Sequence, residues 1–286
     1  MNAIEQQQMK DKCAYEEGVK FLLQFPGMTQ EILESFFIPD SQPHTLPLNS
    51  IYENMLLSAT NVGRNINTVR KHIGHPWFDD AAHKIWDDTK AKLFHFDPKI
   101  IEETFGEDWE KWGNVWTAIA TNTSQPPRTV ERFCKTIISA AHFINQFTSA
   151  DDFYNWIEFF DHDSRARAAL PMLIEAEVYG YGFALSCDFI KGLGYPNFPK
   201  PDLHLIDICR GLGLCSSQAT PYEVYKTTIR AAQNANVTPY AYDRVFYVIG
   251  SENFFQESNT IKRPPNMTNT KTAFIERTLP ILADIK

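Results

Sequence analysis

From Pro127 to Phe147 the apolar residues Val130, Phe133, Ile137, Ile138, Ala141 and Ile144 recur at the spacing of one helix face. Such a stripe demands a partner surface, because helical stability in proteins comes mainly from burying it. The punctuation elsewhere is helical as well. Thr220-Pro221-Tyr222-Glu223 reads as a capping box with proline at the first helical position, Thr238-Pro239 opens another helix the same way, and Ser149 with Asp152 caps a third. No long alternating or β-branched run stands out as a strand, which leaves a Rossmann or other parallel sheet with little support. No internal repeat of fixed period and no low-complexity segment interrupts the pattern. The expected fold class is all-α.

With 286 residues and 43% hydrophobic content, the chain can bury a substantial core in one large domain or two smaller ones. Its five cysteines, Cys13, Cys134, Cys187, Cys209 and Cys215, are scattered and odd in number, which reads as thiols in a reducing compartment. Cys209 and Cys215 form no paired zinc signature with nearby histidines. The polar start, Met1 to Gln8, does not read as a signal peptide, and no stretch approaches an uncharged membrane span. A cytoplasmic or otherwise intracellular protein with no membrane partner is expected.

The run Val178-Tyr179-Gly180-Tyr181-Gly182-Phe183-Ala184 reads as the turn of a helix-hairpin-helix element. A tight link between helices needs positive φ and close backbone approach, so both glycines are expected to serve the turn. Amides at the start of the second helix, Gly182 to Ala184, would then point at a phosphate, helped by the helix dipole. A plain C-cap and turn is written with the same letters, and that reading stays open. Asp202 follows 20 residues beyond Gly182, after the turn Gly192 to Pro199, within Lys200-Pro201-Asp202-Leu203-His204-Leu205. It also reads as a helix N-cap behind Pro201.

Taken together, the hairpin, the spacing, the Gly/Pro-rich turn, Pro201-Asp202-Leu203-His204 and the later Arg210-Gly211-Leu212-Gly213-Leu214 resemble the helix-hairpin-helix, Gly/Pro-Asp superfamily of base-excision DNA glycosylases. The resemblance is firm from about Glu175 to Leu214 and looser elsewhere. It implies a two-lobed helical bundle: a terminal lobe of residues 1–54 with 195–286, and a helix-hairpin-helix lobe of 55–194. It implies that Asp202 is the catalytic carboxylate. Breaking an N-glycosidic bond develops positive charge on the deoxyribose, and an anion in a water-poor site stabilises that charge and orients the attacking water. It also implies that Gly180, Tyr181, Gly182, Phe183 and Ala184 grip the backbone of double-stranded DNA, with a monovalent cation at the hairpin compatible with that role. The target base would be flipped into a pocket. Trp112, Trp116 and Tyr181 are candidates for that pocket, and Lys262 and Arg263 for DNA contact, although aromatics at helical spacing are more often core.

Departures narrow the expectation. Bifunctional relatives carry a lysine two residues after the second glycine for Schiff-base chemistry, and here that position is Ala184. Lys191 lies two helical turns further on and does not simply replace it. A monofunctional, monomeric hydrolase would thus be expected, with an alkylated purine as default substrate and modified bases of foreign or viral DNA as an alternative. No cysteine follows Cys215, so the four-cysteine iron–sulfur cluster of several relatives is excluded; no cofactor is expected. Asp207 stands where many relatives have arginine. Two segments, Leu56 to Asn61 and Ile119 to Ser124, compete as the earlier helix bordering the pocket.

The net charge of −8 works against DNA binding, which draws on Lys and Arg. Between Asp79 and Glu110 ten acids face four lysines, so the remainder of the chain is only −2. If Leu56 to Asn61 borders the pocket, this acidic stretch is an insertion or a remodelled region. Arg64, Arg70 and Lys71 form one basic cluster, and Lys262, Arg263, Lys271 and Arg277 another. A non-catalytic helix-hairpin-helix module and a plain helical scaffold remain the alternatives.

Overall fold

The computed structural model describes the chain except for residues 40, 62–65, 121–124, 256, 258–259, 266 and 286. Among the described residues there are fifteen α-helices and no strand, as the periodicity predicts. In chain order they are α1 (Ala3–Leu22), α2 (Gln30–Ser35), α3 (Leu48–Ala59), α4 (Ile66–Ile73), α5 (Asp80–Lys92), α6 (Pro98–Phe105), α7 (Trp112–Ile119) and α8 (Arg128–Asn145). Then follow α9 (Ala150–Asp161), α10 (Ala169–Glu177), α11 (Phe183–Gly192), α12 (Leu203–Gly211), α13 (Pro221–Ala235), α14 (Pro239–Ser251) and α15 (Thr270–Ala283). Among the described residues, no helix is long and apolar enough to cross a membrane.

The expected caps are formed. Thr220 and Glu223 make a reciprocal capping box ahead of α13, Thr238 accepts from the Ala241 amide at the start of α14, and Ser149 accepts from Asp152. Each satisfies a first-turn amide that the helix itself leaves without a partner.

Two compact units divide the chain: residues 43–189, and residues 1–42 with 190–286. Both divisions fall earlier than the expected 54/55 and 194/195. The physical reason at the first is that α3 packs on α8, so its residues belong with the core of the middle unit.

In that middle unit α8 is the central element. Val130, Phe133, Ile137, Ile138, Ala141 and Ile144 are all buried, and α3, α6 and α7 pack around them. The acidic stretch contributes to this core, with Trp86, Phe96, Ile101 and Phe105 buried. Several of its acids serve local structure, with Asp79 capping α5, Asp97 capping α6 and Asp108 capping the 3₁₀ turn Trp109–Lys111. Acids at helix starts are favoured by the dipole, which accounts for part of the local negative charge.

His75 is buried in the same unit, and burial, assisted by the Arg70 charge, holds its imidazole down to about 4. The unfolded chain takes up that proton near 6.5. Between about pH 4 and pH 6.5 the unfolded state therefore binds more protons, and stability rises with pH. Urea unfolding across that window should show this slope, and His75→Gln should flatten it; an unchanged slope in the variant would assign the acid sensitivity to other groups.

The other unit is built on α1, which packs against α13, α14 and α15. Asp11 on α1 is wholly buried, yet it accepts from Arg230 at 2.8 and 3.0 Å, from Asn234 at 2.8 Å and from Gln7 at 2.8 Å. A buried carboxylate is sustained only by such pairing. Phe21, Leu205, Tyr242, Phe246 and Phe274 belong to one buried apolar cluster in this unit, so the helix that follows Asp202 is anchored in an apolar core.

Candidate active site

The hairpin is shaped by α8. α10 ends at Glu177, and the Tyr181 amide returns to the Val178 carbonyl at 3.0 Å, closing a turn in which Gly180 has φ +82°. Arg132, Thr136 and Ser139 lie at four- and three-residue spacing and so share one face of α8. Arg132 donates to the Gly180 carbonyl, Thr136 donates to the Tyr179 carbonyl at 2.9 Å, and the Ser139 hydroxyl accepts from the Tyr179 amide at 2.9 Å.

The two glycines do different jobs, which corrects the expectation that both supply positive φ. A Cβ on Gly180 would stand 2.8 Å from Arg132 Nε and 3.0 Å from Thr136 Oγ1. Gly182 is not among the positive-φ glycines, and a Cβ there would meet nothing within 4 Å. Gly180 makes the turn; Gly182 leaves open space at the start of α11.

Tyr181 is a second correction. Its side chain is buried, and its hydroxyl donates to the Met55 carbonyl at 2.6 Å, with burial pushing its pKa well above the ordinary value. The ring belongs to the core of the middle unit and not to a pocket wall, while its amide is spent on the turn. The phosphate-facing candidates are thereby reduced to Gly182, Phe183 and Ala184, the first turn of a helix whose internal bonding starts with Leu185 and Ser186 donating to the Gly182 carbonyl. The link to Met55 also brings the end of α3, and so Leu56 to Asn61, to the hairpin. In the competing segment, Thr121 to Ser124 lie outside the described residues.

Asp202 is the N-cap of α12: one carboxylate oxygen accepts from the His204 amide at 2.9 Å and the Leu205 amide at 3.0 Å. It is half-buried. Desolvation, then the charge of Asp243, raise its pKa above the ordinary value, against the Leu205 amide and the charges of Lys200 and His204. Beside it Leu203 is 75% exposed, an apolar side chain left at the surface next to a carboxyl. His204 turns to α14, where Gly250 permits its close approach and Tyr247 meets it edge-on at 6.0 Å.

Sequence reasoning missed Asp243 and set Lys191 aside. The two are buried together, Lys191 Nζ lying 2.7 Å from Asp243 Oδ2. Their only trace in the sequence is that each is a charge within an apolar helical run.

The remaining candidates lie on other elements of the two units. Trp112 and Trp116 are half-buried on α7, the latter meeting His72 edge-on at 6.4 Å. Arg263 donates to the Thr268 carbonyl at 2.8 Å and faces Glu252 at 3.4 Å, so a phosphate would compete with internal partners for it. Lys262 is exposed, with its backbone amide on the Pro26 carbonyl at 3.1 Å. Lys271 pairs with Asp207, and Arg277 donates to Gln24 at 2.6 Å. In the other basic cluster, Arg70 lies over the Phe78 ring and Arg64 is outside the described residues.

Cys134, Cys187 and Cys209 are buried, and Cys13 and Cys215 are half-buried; none of the five is in a disulfide. Glu102, Glu107 and His142 place ligand atoms within 4.8 Å of one another, a set able to converge on a cation. Glu102 and Glu107 border a groove of about 550 Å³ in the middle unit, whose walls include Lys99, Asp108 and Asn145. No family model matches this chain, and no curated protein or solved structure matches it.

Proposed function

We propose that the protein is a monofunctional DNA glycosylase, in which Asp202 promotes hydrolysis of the N-glycosidic bond of a flipped base and the α11 amides hold a phosphate of double-stranded DNA. The observation that carries this reading is the environment of Asp202. A carboxylate that has lost part of its hydration, as burial raises its pKa, is one whose charge counts for more against a cation forming beside it. The same loss of water that penalises Asp202 at rest is offset when an oxocarbenium-like sugar develops. Exposed Leu203 offers an apolar neighbour for a base or sugar face.

Ala184 supplies no amine, and the Lys191 amine is buried and paired with Asp243. The product should therefore be an intact abasic strand, cleaved only by hot alkali. The test is to incubate the protein with duplexes bearing alkylated, oxidised, deaminated and hypermodified bases and detect released base by mass spectrometry. Release from one class supports the reading and identifies the substrate; spontaneous strand cleavage trapped by borohydride would overturn the monofunctional assignment. Binding with no release from any duplex would favour a non-catalytic module.

Duplex binding itself should depend on salt. Each phosphate neutralised weakens binding by about threefold between roughly 50 and 200 mM salt. A loss of at least about tenfold over that range is expected in a gel-shift titration; no affinity at the lower salt would point to a helical scaffold instead.

A further inference from the structure

The Lys191–Asp243 pair lies in the same unit as Asp202 and has no part in the chemistry proposed above. Charges this deeply buried are costly to keep, and replacing such a pair by apolar residues is often neutral or stabilising. Its connections suggest what it does. Asp243 Oδ2 takes the Lys191 ammonium at 2.7 Å and also the backbone amide of Lys200 at 3.0 Å. The Lys200 carbonyl in turn accepts from the Asp202 amide at 2.8 Å. One turn earlier on α14, the Tyr240 amide donates to the Pro196 carbonyl at 2.9 Å. The first two turns of α14 are thus joined twice to the segment that delivers Asp202, once through the Asp243 side chain.

We propose that Asp243 and Lys191 are positioning residues of the Asp202 site: Asp243 fixes the Lys200–Asp202 backbone through its bond to the Lys200 amide, and Lys191 holds the Asp243 side chain in place. This rests on the reading of Asp202 as the reactive carboxyl. The charged groups facing Asp202 are Asp243 from α14, Lys200 from that segment and His204 from α12. On α14 itself, Arg244 is turned to the rings of Tyr240 and Phe255, at 4.8 and 4.6 Å. Of the buried pair, the Asp243 charge opposes Asp202 ionisation, so removing both members leaves Asp202 freer to ionise.

The test follows the Asp202 carboxyl directly, by ¹³C NMR titration of the full-length protein, with the signal assigned by its loss in Asp202→Asn. In Asp243→Asn the midpoint should fall, because a like charge beside Asp202 is removed. Because that variant strands the Lys191 ammonium and risks misfolding, Lys191→Met/Asp243→Asn, which removes both charges, is measured beside it and should shift the same way. The acid limb of the base-release profile should move down with the midpoint. A midpoint unchanged or raised in the folded double variant overturns the proposal, since a purely structural pair would lower the rate at every pH without moving the limb. If wild type releases no base while the midpoint still falls, the positioning role stands and the glycosylase reading fails.

Discussion

Asp202→Asn should slow base release by about 10²–10⁴-fold, the usual contribution of a positioned general base or charge stabiliser. It should do so without lowering stability at neutral pH. Asparagine retains an oxygen able to accept from the His204 and Leu205 amides, and it is as good an N-cap as aspartate. The folded pKa of Asp202 lies above the unfolded one, so ionisation works against the folded state. That penalty is absent below the unfolded pKa and complete above the folded one, and the amide removes it throughout. Asp202→Ala, by contrast, should lose about 1 kcal/mol with the cap. Single-turnover base release and urea melts on the three proteins check this. A variant that is inactive yet as stable as wild type would mark Asp202 as a residue kept for chemistry; full activity in Asp202→Asn would reduce it to a cap and move the function to binding alone.

The second large effect is expected at Gly180. An alanine there must take φ +82°, at a cost of ~1–2 kcal/mol, and must displace Arg132 and Thr136 from the turn they hold. Crowding of a packed site adds ~1–3 kcal/mol, so Gly180→Ala should be destabilised by roughly 2–5 kcal/mol overall. Gly182→Ala should change stability by less than about 0.5 kcal/mol, because its Cβ would enter open space on ordinary backbone. If that open space admits a phosphate, Gly182→Ala should nevertheless weaken duplex binding. Thermal melts and gel shifts on both variants separate the two roles. Equal stability losses would contradict the division of labour between the glycines, and unchanged binding by Gly182→Ala would remove the α11 amides from the proposed interface.

Much of the architecture was legible because it depends on short-range physics. The stripe on α8, the caps at Ser149, Thr220 and Thr238, and the capping position of Asp202 all follow from interactions within a few residues, which the sequence writes in order. The acidic stretch was legible only as a charge count, which does not say which acids cap helices, and Asp79, Asp97 and Asp108 do. Tyr181 misled for a similar reason: an aromatic in a turn has no intrinsic direction until a partner such as the Met55 carbonyl, 126 positions away, claims its hydroxyl.

By itself, then, the sequence determined that this chain is helical, where many of its helices begin, and that a carboxylate stands at the head of α12. Tertiary structure alone decided that Gly180 and Gly182 differ, that Lys271 answers Asp207, and that Lys191 and Asp243 meet in a buried pair. The reason is range: caps and periodicity are fixed by neighbours along the chain, whereas a buried charge is tolerable only when folding brings its counter-charge to it.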